Sequence, residues 1–166
     1  MHRIALMRMT AAGEYGCLAL LAIAENGGEW CKRQQIVDRF DVPPAFLEQI
    51  LRRLASAGLI ASRRGASGGF RLARPASQIT IASVIRTMDG PLAPTRSVST
   101  NFYEPSPVEA SDAFHALFRR VRDAVAAILE SETLEDIVAK ERNIHRTAAR
   151  RRRGSVDRAA ARRARS

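Results

Sequence analysis

Cysteine is nearly absent from this chain. Cys17 and Cys31 are the only two, too few for a disulfide framework. The three histidines, His2, His115 and His145, are scattered, and no nucleophile–base set, phosphate loop or metal-ligand spacing accompanies them. An enzyme is therefore the weakest reading. No apolar run approaches the roughly 18 residues needed to span a bilayer. The opening MHRIALM lacks a signal-peptide core, and Met7 is an alternative start. The chain is expected in the cytoplasm, with no membrane partner. No tandem repeat is visible. Acid is missing from one place in particular. Between His145 and Ser166 nine arginines face the single acid Asp157, so most of the +10 net charge belongs to that tail. The body is nearly balanced, and any argument for an anionic partner there must rest on local clustering.

Such clustering exists between Pro43 and Pro75. Six arginines (Arg52, Arg53, Arg63, Arg64, Arg71, Arg74) stand there against one acid, Glu48. The first half of the stretch has helical periodicity. Leu47, Ile50, Leu51, Leu54 and Ala57 share one face; Ala45, Glu48, Gln49, Arg52 and Ser56 share the other, with Arg53 at its edge. Pro43 and Pro44 suit a helix start and Gly58 a helix end. Leu59–Arg63 then reads as a short strand, Arg64-Gly65-Ala66-Ser67-Gly68-Gly69 as a turn, and Phe70–Ala73 as the return strand. A recognition helix followed by a basic β-hairpin wing is what a reader of double-stranded DNA needs.

The flanking sequence completes the unit. Thr10 offers an N-cap to a helix carrying Tyr15, Leu18, Ala19, Ala22 and Ile23, ended by Asn26-Gly27-Gly28. A short helix follows over Lys32–Phe40, with Ile36, Val37 and Phe40 inward. Asp41-Val42-Pro43 is the turn into the recognition helix, which makes a winged helix-turn-helix. A fourth helix, about Thr80–Met88, places Ile81, Val84, Ile85 and Met88 on one face. From Gly90 to Ala110 there is no regular period. An unstructured loop of about twenty residues is expected, and such loops tend to be functional. Ser111–Glu130 is the longest helix, striped by Phe114, Leu117, Phe118, Val121, Val125, Ile128 and Leu129. A winged helix closes its core without it, so the stripe is expected to pair with its copy in a homodimer. Thr133-Leu134-Glu135-Asp136 resembles a capping box opening a last short helix with Ile137 and Val138. Beyond Arg142 the arginine-rich tail is expected to be disordered.

Several of these stretches together resemble the bacterial winged-helix regulators typified by the iron–sulfur cluster regulator IscR and the nitric-oxide sensor NsrR. The matching residues are Met7-Arg8-Met9-Thr10 with Tyr15, Phe46 to Leu51, Leu54, Ala57-Gly58-Leu59, Arg64-Gly65 and Gly68-Gly69-Phe70. Ile79-Thr80-Ile81, Met88-Asp89-Gly90 and Thr133 to Val138 match as well. The resemblance implies a homodimeric transcription regulator whose long helix crosses between subunits. It also implies a sensor in the preceding loop, for iron–sulfur, redox or nitric-oxide signals. Many such proteins hold an iron–sulfur cluster there on three cysteines. Here Ser97, Ser106 and Ser111 (or Asp112, one residue on) stand at those positions. A neutral hydroxyl is a poor iron ligand beside a thiolate. No cofactor is expected in this form, and an iron–sulfur cluster belongs to a cysteine-bearing parent. Lineage loss and deliberate Cys→Ser substitution both fit the pattern. His115 would be a fourth ligand in such a parent, although a lone histidine near a helix start is more often a surface or capping residue.

The expected layout is mainly α with a small β-hairpin. Residues 7–90 form the winged unit, 91–110 the sensor-type loop, 111–141 the dimerisation helix and short helix, and 142–166 the basic tail. The partner is a palindromic operator, probed through Gln49 and Arg52 at base edges in the major groove. Arg64 at the wing tip is placed to enter the minor groove, with Arg63 on phosphate. Glu48 is set to accept from cytosine or to reject wrong sequences. Ser67 and the N–H groups of Gly68 and Gly69 are candidates for phosphate. Arg8, Thr10 and Arg53 complete the expected contact set. Cys17 reads as a small core hydrophobe, and Cys31, beside Trp30, has no supported redox role. A competing reading is an RNA-associated or architectural protein that binds through its tail.

Overall fold

The computed structural model describes the backbone of residues 9–163 and the side chains of residues 9–149; Arg8 and the side chains from Arg150 onward lie outside the described residues. Helix α1 (Ala11–Glu25) is capped by Thr10, whose hydroxyl accepts from the Gly13 N–H. It is the central post of the fold and buries Ala19, Leu20, Leu21, Ala22 and Ile23. Helix α2 (Arg33–Phe40) and helix α3 (Pro44–Ser56) follow across a tight turn. Asp41 makes that turn in the left-handed region at φ 50°, and Val42 is buried beneath it. On α3 Leu47, Ile50, Leu51 and Leu54 are buried as the 3.6-residue spacing requires. Ala57, expected on the same face, is exposed, because it caps the C-terminus of the helix instead of continuing its stripe.

Strands β1 (Ile60–Arg63) and β2 (Gly69–Leu72) pair antiparallel, with Ile60 opposite Leu72 and Arg63 opposite Gly69. A third strip of backbone lies on the outside of this hairpin. Cys31 and Phe70 exchange both N–H···O bonds at 2.8 Å, tying the segment before α2 to β2. Helix α4 (Ile81–Asp89), capped by Thr80, returns across α1 and buries Ala82, Val84, Ile85 and Met88. Helix α5 (Asp112–Ser131) is capped by Ser111 and has no buried residue. Helix α6 (Leu134–Arg163) opens with the anticipated box: the Asp136 N–H meets Thr133 Oγ1 at 3.2 Å, and Asp136 Oδ2 accepts from the Thr133 N–H at 3.0 Å. Its Leu134 N–H donates to the Ile79 carbonyl at 2.8 Å, fastening α6 to the segment before α4.

Two expectations change. The segment 91–110 is ordered: it makes two short 3₁₀ turns, Arg96–Val98 and Pro107–Ala110, and buries Leu92, Ala93, Ser97, Val98 and Ser99. Leu92 packs with Ala82 and Ile85 of α4, and Leu129 of α5 covers them, so long-range partners supply the order that local periodicity does not. The last helix is also not short. It runs unbroken for 30 residues, through the stretch read as a disordered tail. Alanine, arginine, glutamate and lysine are strong helix formers, and no proline interrupts them, so a chain already nucleated at Leu134 continues without an apolar face.

Candidate nucleic-acid interface

The solvent face of α3 carries Glu48, Gln49 and Arg52, all exposed. Beside it stands the wing, whose tip residues Arg64 to Ser67 are exposed. Between α3, the start of α2 and the wing lies an open cleft of about 610 Å³, edged by Lys32, Arg33, Glu48, Arg52, Arg63 and Arg64. Glu48 is the one carboxylate on this edge. It faces Arg33 at 3.7 Å and Arg52 at 3.5 Å. All three side chains are at least half exposed. Such pairs are worth roughly 0.2–1 kcal/mol, less than the roughly 1–3 kcal/mol of a bidentate base contact. Arg52 can therefore leave Glu48 for a base edge at small cost.

The wing is braced from the α1–α2 connection. Lys32 Nζ donates to the Ala66 carbonyl at the tip. Arg63 donates to the Ser67 carbonyl, which closes the turn from the inside. Gly68 is buried, and its N–H is spent on the Gly65 carbonyl at 2.9 Å. A Cβ there would sit 2.1 Å from the Arg63 carbonyl oxygen, so only glycine fits the turn. Arg64 makes no ion pair among the described residues and projects from the loop beside Gly65.

Three of the expected DNA contacts are engaged elsewhere. The Gly68 N–H is internal, as above. Thr10 donates its hydroxyl and its N–H to the Asp89 carboxylate, so it joins α1 to the end of α4. Arg53 turns away from the cleft and donates to the carbonyls of Thr87 (2.7 Å) and Met88 (2.6 Å). There its charge meets the negative end of the α4 dipole. Arg8 lies outside the described residues. Glu48, Arg52, Arg63 and Arg64 do gather around the cleft, while Gln49, on α3, and Ser67, in the wing turn, are exposed but do not line it. Reasoning from sequence missed Lys32 and Arg33, which reach the cleft because the bridge from Cys31 to Phe70 lays the segment before α2 against the wing.

The loop 91–110 forms a second candidate site. Ser97 is buried, and its hydroxyl lies 2.7 Å from that of Ser106 and 3.2 Å from that of Thr95. His115 Nε2 approaches the Ser97 carbonyl at 3.4 Å. Ser111 stands apart from this network and caps α5. These residues do not fit an iron–sulfur cluster. The donors are neutral hydroxyls already bonded to one another, where a cluster needs thiolates. Nor do the cysteines supply them. Burial, then the charge of Asp89, pushes the Cys17 thiol up to about 11. Burial pushes Cys31 up as well, against the pull of Arg39. Among the described residues no group of three or more His, Cys, Asp or Glu side chains converges as a metal site.

On α5 the apolar stripe is left open. Phe114 is 58% exposed, Leu117 45% and Ile128 64%, while Phe118, Val121, Val125 and Leu129 are half-buried. The rings of Phe114 and Phe118 stack on each other with centroids 6.4 Å apart. No helix among the described residues is long and apolar enough to cross a membrane.

Comparison with known proteins agrees with this architecture. A family model described as Rrf2, iron-dependent transcriptional regulator, matches residues 9–140. The chain is 33% identical over 134 residues to the HTH-type transcriptional regulator CymR of Bacillus subtilis, covering 80% of this chain and 91% of that one. It is 32% identical over 133 residues to the HTH-type transcriptional regulator IscR of Photorhabdus laumondii, covering 80% and 79%. The solved structure of CymR, the global cysteine regulator of B. subtilis, superposes with a TM-score of 0.70 at 30% identity, covering 81% of this chain and 98% of that one. These are transcription regulators and not enzymes. With its winged helix-turn-helix and basic cleft, this chain belongs to the Rrf2 family of DNA-binding transcription regulators.

Proposed function

We propose that the chain acts as a homodimer on a palindromic operator, as a sequence-specific repressor in the cytoplasm. The observation that carries this reading is the placement of Gln49 and Arg52 on the open face of α3 with Arg64 on the adjacent wing tip. Gln suits adenine and Arg guanine in the major groove, and a lone arginine on a turn suits a narrow minor groove. The open α5 stripe supports the dimer, because two copies would cover Phe114, Leu117 and Ile128 together. Dimer geometry then sets the spacing of the two recognition helices, which must match half-sites about 34–36 Å apart. The loop 91–110 sits between α4 and α5 and sets that spacing. Its Ser97–Ser106 bond holds it ordered without a thiolate-bound cluster. On this reading the protein is colourless and occupies operators without iron, and whatever signal it answers shifts the loop between two packings.

The tail offers the competing reading, binding to RNA or DNA by charge alone. The family match ends at residue 140, before the arginine run, which favours the cleft. Selecting a site from random duplexes with the purified protein, then truncating after Arg142, separates the two. Retained preference for the selected site supports the cleft. Loss of nearly all affinity with the tail contradicts it.

A further inference from the structure

The wing carries a feature that the DNA reading leaves unused. Trp30, the only tryptophan in the chain, has a guanidinium over its ring from each of two arginines: Arg63 at 4.5 Å and Arg71 at 4.7 Å from the ring centroid. The register explains why both arrive there. Arg63 pairs with Gly69 and Ala61 with Arg71, so Arg63 and Arg71 project from the same face of the hairpin, one from each strand. Opposite Arg63 on that face, and two residues before Arg71, stands Gly69, at φ 150°. A Cβ on it would stand 2.5 Å from the Cys31 carbonyl oxygen and 3.4 Å from the Trp30 carbonyl carbon. The glycine clears the space into which the Trp30–Cys31 strip settles, and the two bonds between Cys31 and Phe70 hold it there.

Two like charges on one small hairpin face repel unless something compensates. Here the negative face of an indole does so in place of a carboxylate. The difference matters for chemistry. Arg33, Arg39, Arg52, Arg86, Arg96 and Arg122 each face an acid. Arg63 and Arg71 face none among the described residues, and both are exposed. Arg63 spends one nitrogen on the Ser67 carbonyl, and Arg71 spends none on any described partner. A guanidinium keeps its edge donors open for phosphate while an aromatic ring fixes its position. We propose that Trp30 is a positioning residue that assembles Arg63 and Arg71 into a two-arginine clamp for the DNA backbone, with Arg71 a phosphate contact in its own right.

This inference rests on the DNA reading and is tested so that the two can fail separately. The probe is a fluorescein-labelled duplex of mixed sequence, titrated with the full chain between about 50 and 200 mM salt. Each phosphate contact contributes about 0.9 to the slope of log affinity against log salt concentration. R71A should flatten the slope by about 0.9, and W30A by up to about twice that. W30F, which keeps a ring face, should restore the slope. A purely structural role for Trp30 would lower the melting temperature and leave the slope alone. A steep wild-type slope that neither R71A nor W30A changes overturns the clamp, and the DNA reading stands if both variants keep their preference for the selected site over a scrambled duplex. A flat wild-type slope overturns both. R71A alters only an exposed side chain, so the test stands even if W30A fails to fold.

Discussion

Helices α1 to α4 and helix α5 are held in place by different means. Each of the first four buries at least one side chain in the chain's own core, down to the eight-residue α2 with Ile36. Helix α5 has 20 residues and a continuous apolar stripe, yet buries none. The apolar stripes of the first four helices are thus covered within one copy of the chain, while that of α5 is left open and forms half of an interface only in the proposed dimer. The contrast separates two kinds of apolar residue that look alike in sequence. Leu54 is 0% exposed and packs in the core, whereas Ile128 is 64% exposed and has no cover within the chain.

The largest effect expected from this contrast is in the core. Leu54→Ala should cost about 2–5 kcal/mol, through lost burial and the cavity left behind. Chemical denaturation followed by circular dichroism measures it. A cost near zero would mean that the α3 stripe does not close the core. Paired Phe114→Asp and Ile128→Asp changes should leave the winged unit folded and convert a dimer into monomers in sedimentation equilibrium. Affinity for a palindromic site should then fall at least about tenfold, which is about 1.4 kcal/mol. Persistent dimers would show that the stripe is not the interface.

A smaller effect is expected in the loop that joins the two regions. Ser97→Ala removes the hydroxyl shared with Thr95 and Ser106, at about 0.5–1.5 kcal/mol. Hydrogen exchange should rise across 91–110 and hardly change in α1. Uniform exchange would mean that the network does not hold the loop.

Smallest are the titrations. The hydrogen bonds from the Thr133 hydroxyl and then its backbone N–H hold the Asp136 carboxyl below its ordinary range. Its contribution to stability is fully present above the ordinary carboxylate range and is lost as pH falls through the lowered value. Asp136→Asn should therefore flatten the acid limb of melting temperature against pH. The Cys17 thiol runs the other way. Its neutral form is favoured in the fold, so its contribution is intact below the ordinary thiol range and disappears as pH rises through about 11. Alkylation of native protein at mildly alkaline pH should be slow at Cys17, and rapid labelling there would contradict its burial.

How much of this was legible in sequence follows from the range of the interactions. The α3 stripe, the glycine-rich wing turn and the Thr133–Asp136 box are local patterns, and each stands where its residues put it. The order of the loop was hidden because Leu92 and Val98 find their places through distant partners and follow no period. Thr10 and Asp89 are 79 residues apart, and Arg53 reaches carbonyls 34 and 35 residues away. Nothing in the local sequence distinguishes an arginine aimed at DNA from one aimed at a helix end. Arg71 was visible as charge, but its pairing with Trp30 needed the bridge between Cys31 and Phe70. The length of α6 was misread because low apolar content was weighed above helix propensity.

The central claim is that the α3 face and the wing tip read sequence together. The most direct measurement is the ratio of affinities for a selected operator and a scrambled duplex, in wild type and in a Gln49→Ala, Arg52→Ala, Arg64→Ala variant of unchanged melting temperature. At about 1–3 kcal/mol per contact, the ratio should collapse toward one in the variant. A ratio that survives all three truncations would place the reading surface elsewhere on the chain.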